Sequence, residues 1–329
     1  MTARTFFSLV LVFFCGWVQA QQYPSKAVKV IIPYPPGSTP DIVGRTLSMK
    51  LQEAFSQPFV VENRAGAGGN IGAEAVAKSP ADGYTLLIGI NGPAAINKLL
   101  YKDLGYDSDR DLQPVSLLAS SPQMLVVVPS LEAHDFKGFI AHLKKKPGGL
   151  SYGSVGGGSA SHLTMELLKN DAGVFAVHIP YRGFPPAVTD LLSGNIQAMF
   201  AIVPAVLPQV KAGKLRALAV TGLKRSALAP EVPSVAELGY PQLESLAWIG
   251  LLAPSGLPSE ILNRINTQIV KAMRTPETLE SLGRRVFGLD PRRAGERVES
   301  DPRQRSNGGL GGRRRERRQK FDTSCSERL

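Results

Sequence analysis

Residues 30–47 read VIIPYPPGSTPDIVGRTL. A short apolar run, typical of a buried strand, breaks at several prolines, a glycine and two hydroxyl residues, and then continues with the period of a helix. Ser38 or Thr39 can cap that helix, Pro40 suits its first position, and Asp41 falls in its first turn. The stretch therefore predicts a strand, a tight corner and a helix in direct succession.

This corner has two interpretations. The first N–H groups of a helix have no partner within the helix and carry partial positive charge, so they can bind a carboxylate ligand. Alternatively, the corner is only a capped helix start, in which Asp41 takes up part of that positive field. The residues of the corner leave both interpretations open.

Strand-like and helix-like segments alternate on both sides of this corner. AVKVIIPY, FVVENR and YTLLIGI predict strands with helical segments between them, and PVSLLASS and QMLVVVPS predict two further strands. Strands separated by helices indicate βαβ units, parallel sheets and an α/β fold, in which ligands bind beyond the carboxyl ends of the strands. No linker separates the domains, which suggests that the first domain is discontinuous.

A second corner, YGSVGGGSASHL at residues 152–163, repeats the features of the first. Its glycines leave the backbone uncovered, and Ser154, Ser159 and Ser161 supply hydroxyls just before the next predicted helix. Two hydroxyl-rich helix starts, one in each half of the chain, could face each other across a cleft. The pair is more informative than either corner alone.

The sequence does not match the motifs of known catalytic and cofactor-binding sites. Tyr152 stands where a nucleophile elbow around Ser154 needs glycine, and Ser161 stands where one around Ser159 needs it. GAGGNIG misses the dinucleotide spacing, and the four histidines have no metal-ligand spacing. The sequence therefore predicts no catalytic residue, no metal site and no cofactor.

The first 20 residues, MTARTFFSLVLVFFCGWVQA, predict a cleaved secretory signal. The alternative is a membrane anchor, but the apolar run is shorter than the ~20 residues that a spanning helix needs. Cleavage would remove Cys15 and leave Cys325 as the one thiol, so no internal disulfide is expected. We expect a protein exported to the periplasm.

Most of the positive charge lies near the carboxyl terminus. The chain has a net charge of +11, of which +7 falls between Arg284 and Leu329. Residues 292–329 form a basic segment poor in apolar residues, for which composition predicts disorder. Our hypothesis is a frame change in the coding sequence after about Pro291, and a genuine basic tail is the alternative. The basicity gives no support for a nucleic-acid groove.

Five segments in unbroken order carry a resemblance to a known family: IIPYPPGSTPDIVGR, VVENRAGAGGNIGAEAVAKSPADGYTLL, YGSVGGGSASHL, IPYRGFPPAVTDLLSGNIQAMF and LRALAVTGLKRSALAPEVPSVAELGYP. From about Tyr23 to Pro291 the chain resembles the substrate-binding proteins of tripartite tricarboxylate transporters, the Bug family. The resemblance implies a two-lobed periplasmic binding protein of type II topology, with mostly parallel sheets and a central cleft. It places domain 1 at residues 21–122 and 246–291, and domain 2 at residues 123–245.

The resemblance also implies a set of ligand-binding residues. The loops at residues 34–41 and 154–162 grip one carboxylate, the stretch around Tyr181 and Gly183 shapes the rest of the cleft, and Asn91 matches the family after the third strand. These residues are Tyr34, Gly37, Ser38, Thr39, Asp41, Asn91, Ser154, Gly158, Ser159, His162, Tyr181, Gly183 and Phe184. Ser38 and Phe184 stand where family members usually have glycine, and Pro93 and Ala94 replace a common Thr-His pair. These departures concern the far end of the ligand, where Phe184 could narrow the cleft or offer an aromatic face.

The resemblance implies a function in transport. The protein would capture a small organic carboxylate and deliver it to the permease subunits of a tripartite transporter, as a monomer without catalysis. The alternative is a sensor that docks on a signalling receptor when it is loaded with ligand. Nucleic-acid binding is not expected.

Overall fold

The structure is a computed structural model that describes residues 23–285. The predicted signal at residues 1–20 lies outside the described residues, as does the proposed frame change after Pro291. None of the described helices is both long enough and apolar enough to cross a bilayer.

The described residues form nine strands and ten α-helices. The strands are β1 Val28–Ile32, β2 Phe59–Asn63, β3 Thr85–Ile90, β4 Leu112–Val127, β5 Ser151–Ser154, β6 Val177–Pro180, β7 Ala198–Ile202, β8 Arg216–Val220 and β9 Leu246–Pro254. The helices are α1 Thr39–Phe55, α2 Asn70–Ala77, α3 Asn97–Leu100, α4 Ser108–Asp111, α5 Phe136–Lys145, α6 Ala160–Ala172, α7 Phe184–Leu192, α8 Val203–Lys211, α9 Ser259–Met273 and α10 Pro276–Arg285. Short 3₁₀ turns occur at Ala67–Gly69 and Pro241–Leu243, and a π turn at Gly92–Ile96 precedes α3.

The quoted corner has the predicted form. β1 ends at Ile32, and α1 begins at Thr39, directly after its N-cap residue Ser38. The apolar residues of α1 recur at helical spacing, so that Val43 and Leu47 are buried on the face that packs with β1. This burial fixes the start of α1 beyond the carboxyl end of β1.

The strands follow the order β2-β1-β3-β9-β4-β7-β5-β6, with β8 paired to β4. β1 is parallel to β2 and β3, and β5 is parallel to β6 and β7, as the βαβ pattern predicts. The expectation of mostly parallel sheets needs a correction, because all pairings of β4 and β9 are antiparallel. The two strands predicted within β4 are one continuous strand.

β4 connects two lobes. Its residues from Leu112 to Pro122 pair with β9, whereas those from Gln123 to Val127 pair with β7 and β8. One hydrophobic core, in what we call lobe 1, is built from residues 23–119 and 249–282. The other core, in lobe 2, is built from residues 124–243. The fold is thus the expected two-lobed α/β type.

Candidate functional site

A cavity of about 100 Å³ lies between the lobes. Residues of lobe 1 that follow β1 and β3 line one side, and residues of lobe 2 that follow β5 and β6 line the other. The predicted site residues that line it are Tyr34, Ser38, Thr39, Asn91, Ser159, Gly183 and Phe184. The two hydroxyl-rich corners therefore share one cavity.

The start of α1 offers the cavity an unused hydroxyl. Ser38 is the N-cap of α1, yet its side chain makes no capping hydrogen bond. Its Oγ is buried without a hydrogen-bond partner in the protein. Thr39 is the first residue of the helix, so its N–H has no acceptor within the helix, and Pro40 has no N–H at all. Buried polar groups are rarely left unpaired, so this arrangement favours a bound acceptor.

Asp41 and Gly37 hold the corner in shape and do not line the cavity. The buried Asp41 carboxylate accepts hydrogen bonds from the Gly37 N–H at 2.9 Å, from Asn63 Nδ2 at 2.8 Å and from Arg45 Nε at 3.0 Å. Burial opposes ionisation, but these hydrogen bonds outweigh it and lower the pKa of Asp41. Asp41 is thus a charged anchor, and the Gly37 N–H is already occupied.

The start of α6 faces the start of α1 across the cavity. Ser159, the N-cap of α6, donates its hydroxyl to Gly156 O at 2.6 Å and lies 3.0 Å from Ser161 Oγ. Ser161 Oγ accepts a hydrogen bond from the Val155 N–H at 3.1 Å. The N–H groups of Ala160 and Ser161 have no acceptor within the helix, because its first intrahelical hydrogen bond runs from the Leu163 N–H to Ser159 O. Both residues line the cavity, so their N–H groups supply the partial positive charge of a helix start.

Ser154, Gly158 and His162 form a layer behind this loop and do not line the cavity. The Gly158 N–H donates to His162 Nδ1 at 3.2 Å, and Ser154 Oγ lies 2.7 Å from His178 Nε2. The imidazole rings of His162 and His178 are stacked, with their centroids 4.1 Å apart. The sequence alone predicts no role for His178, because the residues that contact it are distant from it in the chain.

This histidine pair predicts a loss of stability in acid. Burial first, and then the neighbouring His162 ring, lower the pKa of His178 to about 4. Because both imidazoles have a lowered pKa in the folded state, the unfolded chain binds protons first as the pH falls below about 6.5. The contribution of the two neutral imidazoles to the free energy of unfolding is complete above that pH and is lost as the pH falls toward about 4.

We expect His178→Phe, which keeps a flat ring in the stack, to flatten the pH dependence of the unfolding free energy between about pH 6.5 and 4.5. The expected difference is on the order of 1 kcal/mol after allowance for solvent screening. Urea unfolding across this pH range measures it, with His134→Gln, at an exposed position, as the control. Parallel pH profiles of His178→Phe and the wild type would contradict the expectation.

The third predicted loop contributes only part of its residues to the cavity. The Tyr181 hydroxyl donates to Asp190 Oδ2 at 2.7 Å, within its own lobe, and Tyr181 does not line the cavity. Gly183 and Phe184 do line it, with Gly183 as the N-cap of α7 and Phe184 as its first residue. Phe184 is thus part of the cavity wall.

Other lining residues were not predicted. Gln123 lies in β4 where the chain passes between the lobes, and Trp248 lies in β9. Asn91 was predicted, but its side chain clamps β9: Nδ2 donates to Leu246 O at 3.1 Å, and Oδ1 accepts from the Trp248 N–H at 3.2 Å. A lone glutamine at the head of the apolar run QMLVVV was the available signal for Gln123.

The site has the chemistry of a binding site for a small anion. Among the residues that the structure describes, no cluster of His, Cys, Asp or Glu could hold a metal ion. The two-lobed α/β fold, with its cavity at the carboxyl ends of strands from both lobes, defines a periplasmic binding protein of type II topology.

Comparison with known proteins places the chain more narrowly. Residues 43–297 match the family described as "Tripartite tricarboxylate transporter family receptor", and the chain belongs to this family. It is similar to the protein BugT of Bordetella pertussis, with 40% identity over 265 residues, which cover 80% of this chain and 81% of that protein.

Solved structures agree with this assignment. A structure described as "R. palustris Rpa4515 with adipate" is 34% identical, with a TM-score of 0.78, over 89% of this chain and 96% of that one. A second, described as "Structure of a periplasmic transporter", is 39% identical with a TM-score of 0.77, over 87% and 94% of the two chains. The resemblance noted in the sequence is therefore confirmed.

Proposed function

We propose that this protein captures a small organic carboxylate in the periplasm and delivers it to the membrane permease of a tripartite tricarboxylate-type transporter. The single observation that carries the proposal is the unpartnered, buried Oγ of Ser38 in a cavity that the start of α6 also lines. Family membership and the adipate bound by the R. palustris relative support the same class of ligand. N–H groups and hydroxyls hold a carboxylate without an arginine, because charge-assisted hydrogen bonds are about twice as strong as neutral ones.

The proposal includes a location and a mode of action. A signal at residues 1–20 is removed on export, and the mature protein acts as a monomer without a cofactor and does not bind nucleic acid. Residues 21–122 with 246–291 form one domain and residues 123–245 the other, and the two close on the ligand about the strands that join them. No chemistry is performed on the ligand. Ser154, the serine that pairs with a histidine, is fully buried and does not line the cavity, which supports a binding role.

Binding should be visible in the emission of Trp248. This residue lines the cavity, and after removal of the signal it is the one tryptophan left in the chain. We expect a carboxylate that binds to shift or quench its emission and, at 100 times its Kd, to raise the unfolding free energy by about 2.7 kcal/mol.

Titration fluorimetry and thermal unfolding of the exported chain, across a panel of organic acids, measure both effects. Trp248→Phe is the control for the optical signal, because it should abolish the emission change while a thermal shift remains. If no acid in the panel changes either signal in the unaltered protein, the proposed function is wrong.

A further inference from the structure

The loop between β5 and α6, at residues 155–159, belongs both to the cavity and to the contact between the lobes. Its first and last residues, Val155 and Ser159, line the cavity. Between them, Gly158 approaches lobe 1 so closely that a Cβ on it would overlap Asn97 Oδ1. A shift of this loop would therefore change the wall of the cavity and the contact between the lobes together.

The middle of the loop cannot hold its own conformation. It consists of three consecutive glycines, and Gly156 and Gly158 have positive φ values of 127° and 78°. Glycine has more backbone freedom than any other residue, so a glycine loop needs hydrogen bonds from outside to stay in one conformation. Two side chains provide them. Ser154 Oγ accepts a hydrogen bond from the Gly156 N–H at 3.2 Å, and His162 Nδ1 accepts one from the Gly158 N–H at 3.2 Å.

The His162 ring is well placed to act as a fixed acceptor. His162 is in the first turn of α6, where its own N–H donates to Ser159 Oγ at 3.4 Å. One face of its ring is stacked on the ring of His178, which lies on β6 and is held through Ser154. His162 thus connects the start of α6 to both ends of the glycine run, although it does not itself line the cavity.

The hydrogen bond from Gly158 defines the protonation state of His162. A backbone N–H can only donate, so Nδ1 has no hydrogen and Nε2 carries the one hydrogen of a neutral ring. Among the described residues, the titratable groups that face the ring are His178 of β6, Tyr152 of β5, and Glu166 and Lys169 of α6. Glu166 Oε1 lies 3.9 Å from Nε2, but it also accepts from Lys169 at 2.7 Å and from the Tyr152 hydroxyl at 2.5 Å. Burial outweighs the opposing effect of Glu166 and lowers the pKa of His162, which favours the neutral ring.

We propose that His162 is a positioning residue of the ligand site, whose neutral imidazole holds the Gly158 N–H and so fixes the loop that presents Ser159 to the ligand and meets lobe 1. This inference rests on the proposed function and adds to it the residue that keeps the site in shape. Protonation of Nδ1 would replace the acceptor by a second donor, and the Gly158 N–H would then lose its partner. His162 acts on the ligand only through the loop.

Two substitutions of similar shape test the role of Nδ1. The Oδ1 atom of Asn can stand close to the place of Nδ1 and accepts a hydrogen bond without titrating, whereas Leu is branched like Asn and has no acceptor. We expect His162→Leu to bind adipate about tenfold more weakly than the wild type at neutral pH, because only molecules with the loop in place can bind. His162→Asn should remain within about threefold of the wild type. Isothermal titration calorimetry measures both affinities, and His134→Leu, at an exposed position, is the control that should bind like the wild type.

Exchange of the Gly158 amide hydrogen tests the same hydrogen bond without a ligand. NMR spectroscopy of the exported chain measures its protection relative to an unstructured peptide. We expect His162→Leu to lower this protection about tenfold and His162→Asn to preserve it. As the pH is lowered, protection of Gly158 in the wild type should fall in parallel with protonation of the His162 ring, followed through its own resonances. In His162→Asn it should stay constant.

Equal affinities of the Leu and Asn variants for adipate would overturn the inference and leave the carboxylate receptor intact. Loss of affinity in His162→Leu with unchanged protection of Gly158 would overturn it as well, because His162 would then act by another route. If adipate does not bind the wild type, the wider panel monitored through Trp248 tests the proposed function, and amide exchange decides the inference. If His162→Leu does not fold, the pH dependence of Gly158 protection in the wild type and in His162→Asn decides it.

Discussion

Gly158→Ala should weaken ligand binding about 100-fold, which corresponds to about 2.7 kcal/mol. Gly158 belongs to lobe 2 and lies against Asn97 and Leu100 of lobe 1. A methyl group on Gly158 would overlap Asn97 Oδ1 and come within 3.2 Å of Leu100 Cδ1. The overlap forces the lobes apart where they meet beside the cavity, so that the closed state becomes rarely populated. A ligand held by both lobes binds only to this closed state, and its apparent affinity falls in proportion to the population of that state.

Gly173→Ala is the matched control for this prediction. Gly158 and Gly173 flank the same helix, α6, and both have a positive φ, of 78° and 63°, so alanine is strained at either position. A Cβ on Gly173 meets nothing within 4 Å. Both variants should lose similar stability in urea unfolding, whereas calorimetry should detect the loss of affinity in Gly158→Ala alone. Equal affinities would show that the contact between the lobes at Gly158 does not govern binding.

Ser38→Asp should abolish carboxylate binding, with a loss of about 100-fold or more, while the protein remains folded. Asp is as good an N-cap as Ser, and a negative charge at the start of α1 interacts favourably with the helix dipole. The same carboxylate would occupy the donors that the ligand needs and would repel the ligand. Two like charges about 4 Å apart repel by about 4 kcal/mol at a dielectric constant typical of a protein surface.

Ser38→Asn is the control that distinguishes the effect of charge on binding from the effect of side-chain shape. Asn is similar in size to Asp and also caps helices well, but it carries no charge. We expect it to retain binding within about tenfold of the wild type, because one hydrogen bond contributes about 1 kcal/mol. Equal loss of affinity in the Asp and Asn variants would mean that Ser38 affects binding by shape alone and that the anion does not lie beside it.

The strand-to-helix corners could be predicted from the sequence because their signals are local. A buried strand, a proline-rich turn and an N-cap residue occur in direct succession before α1, which begins at Thr39, one residue before the predicted first position at Pro40. The continuity of β4 could not be predicted in this way. The run SSPQ within β4 is typical of a turn. Pairing with β9, more than 120 residues later, keeps its first three residues extended, and Gln123 pairs with β7. The helical period of α8 could not be recognised either, because Pro204 and Pro208 interrupt it.

The predicted site residues coincide only in part with the residues that line the cavity, for a related physical reason. A polar residue near a corner either faces the ligand or is satisfied by a distant partner, and the local sequence does not distinguish these cases. Asp41 is hydrogen-bonded to Asn63 and Ser154 to His178, and neither Asp41 nor Ser154 lines the cavity. Gln123 and Trp248 join the wall only because β4 and β9 pass side by side between the lobes.

The position of the ligand's carboxylate in a crystal structure tests the central claim most directly. The crystals would contain the acid with the highest affinity in the panel. We predict carboxylate oxygens within about 3.2 Å of both Ser38 Oγ and an N–H of Ala160 or Ser161, which is hydrogen-bonding distance. A carboxylate that contacts neither helix start, and lies instead against Phe184 and Trp248 or outside the cavity, would contradict the account.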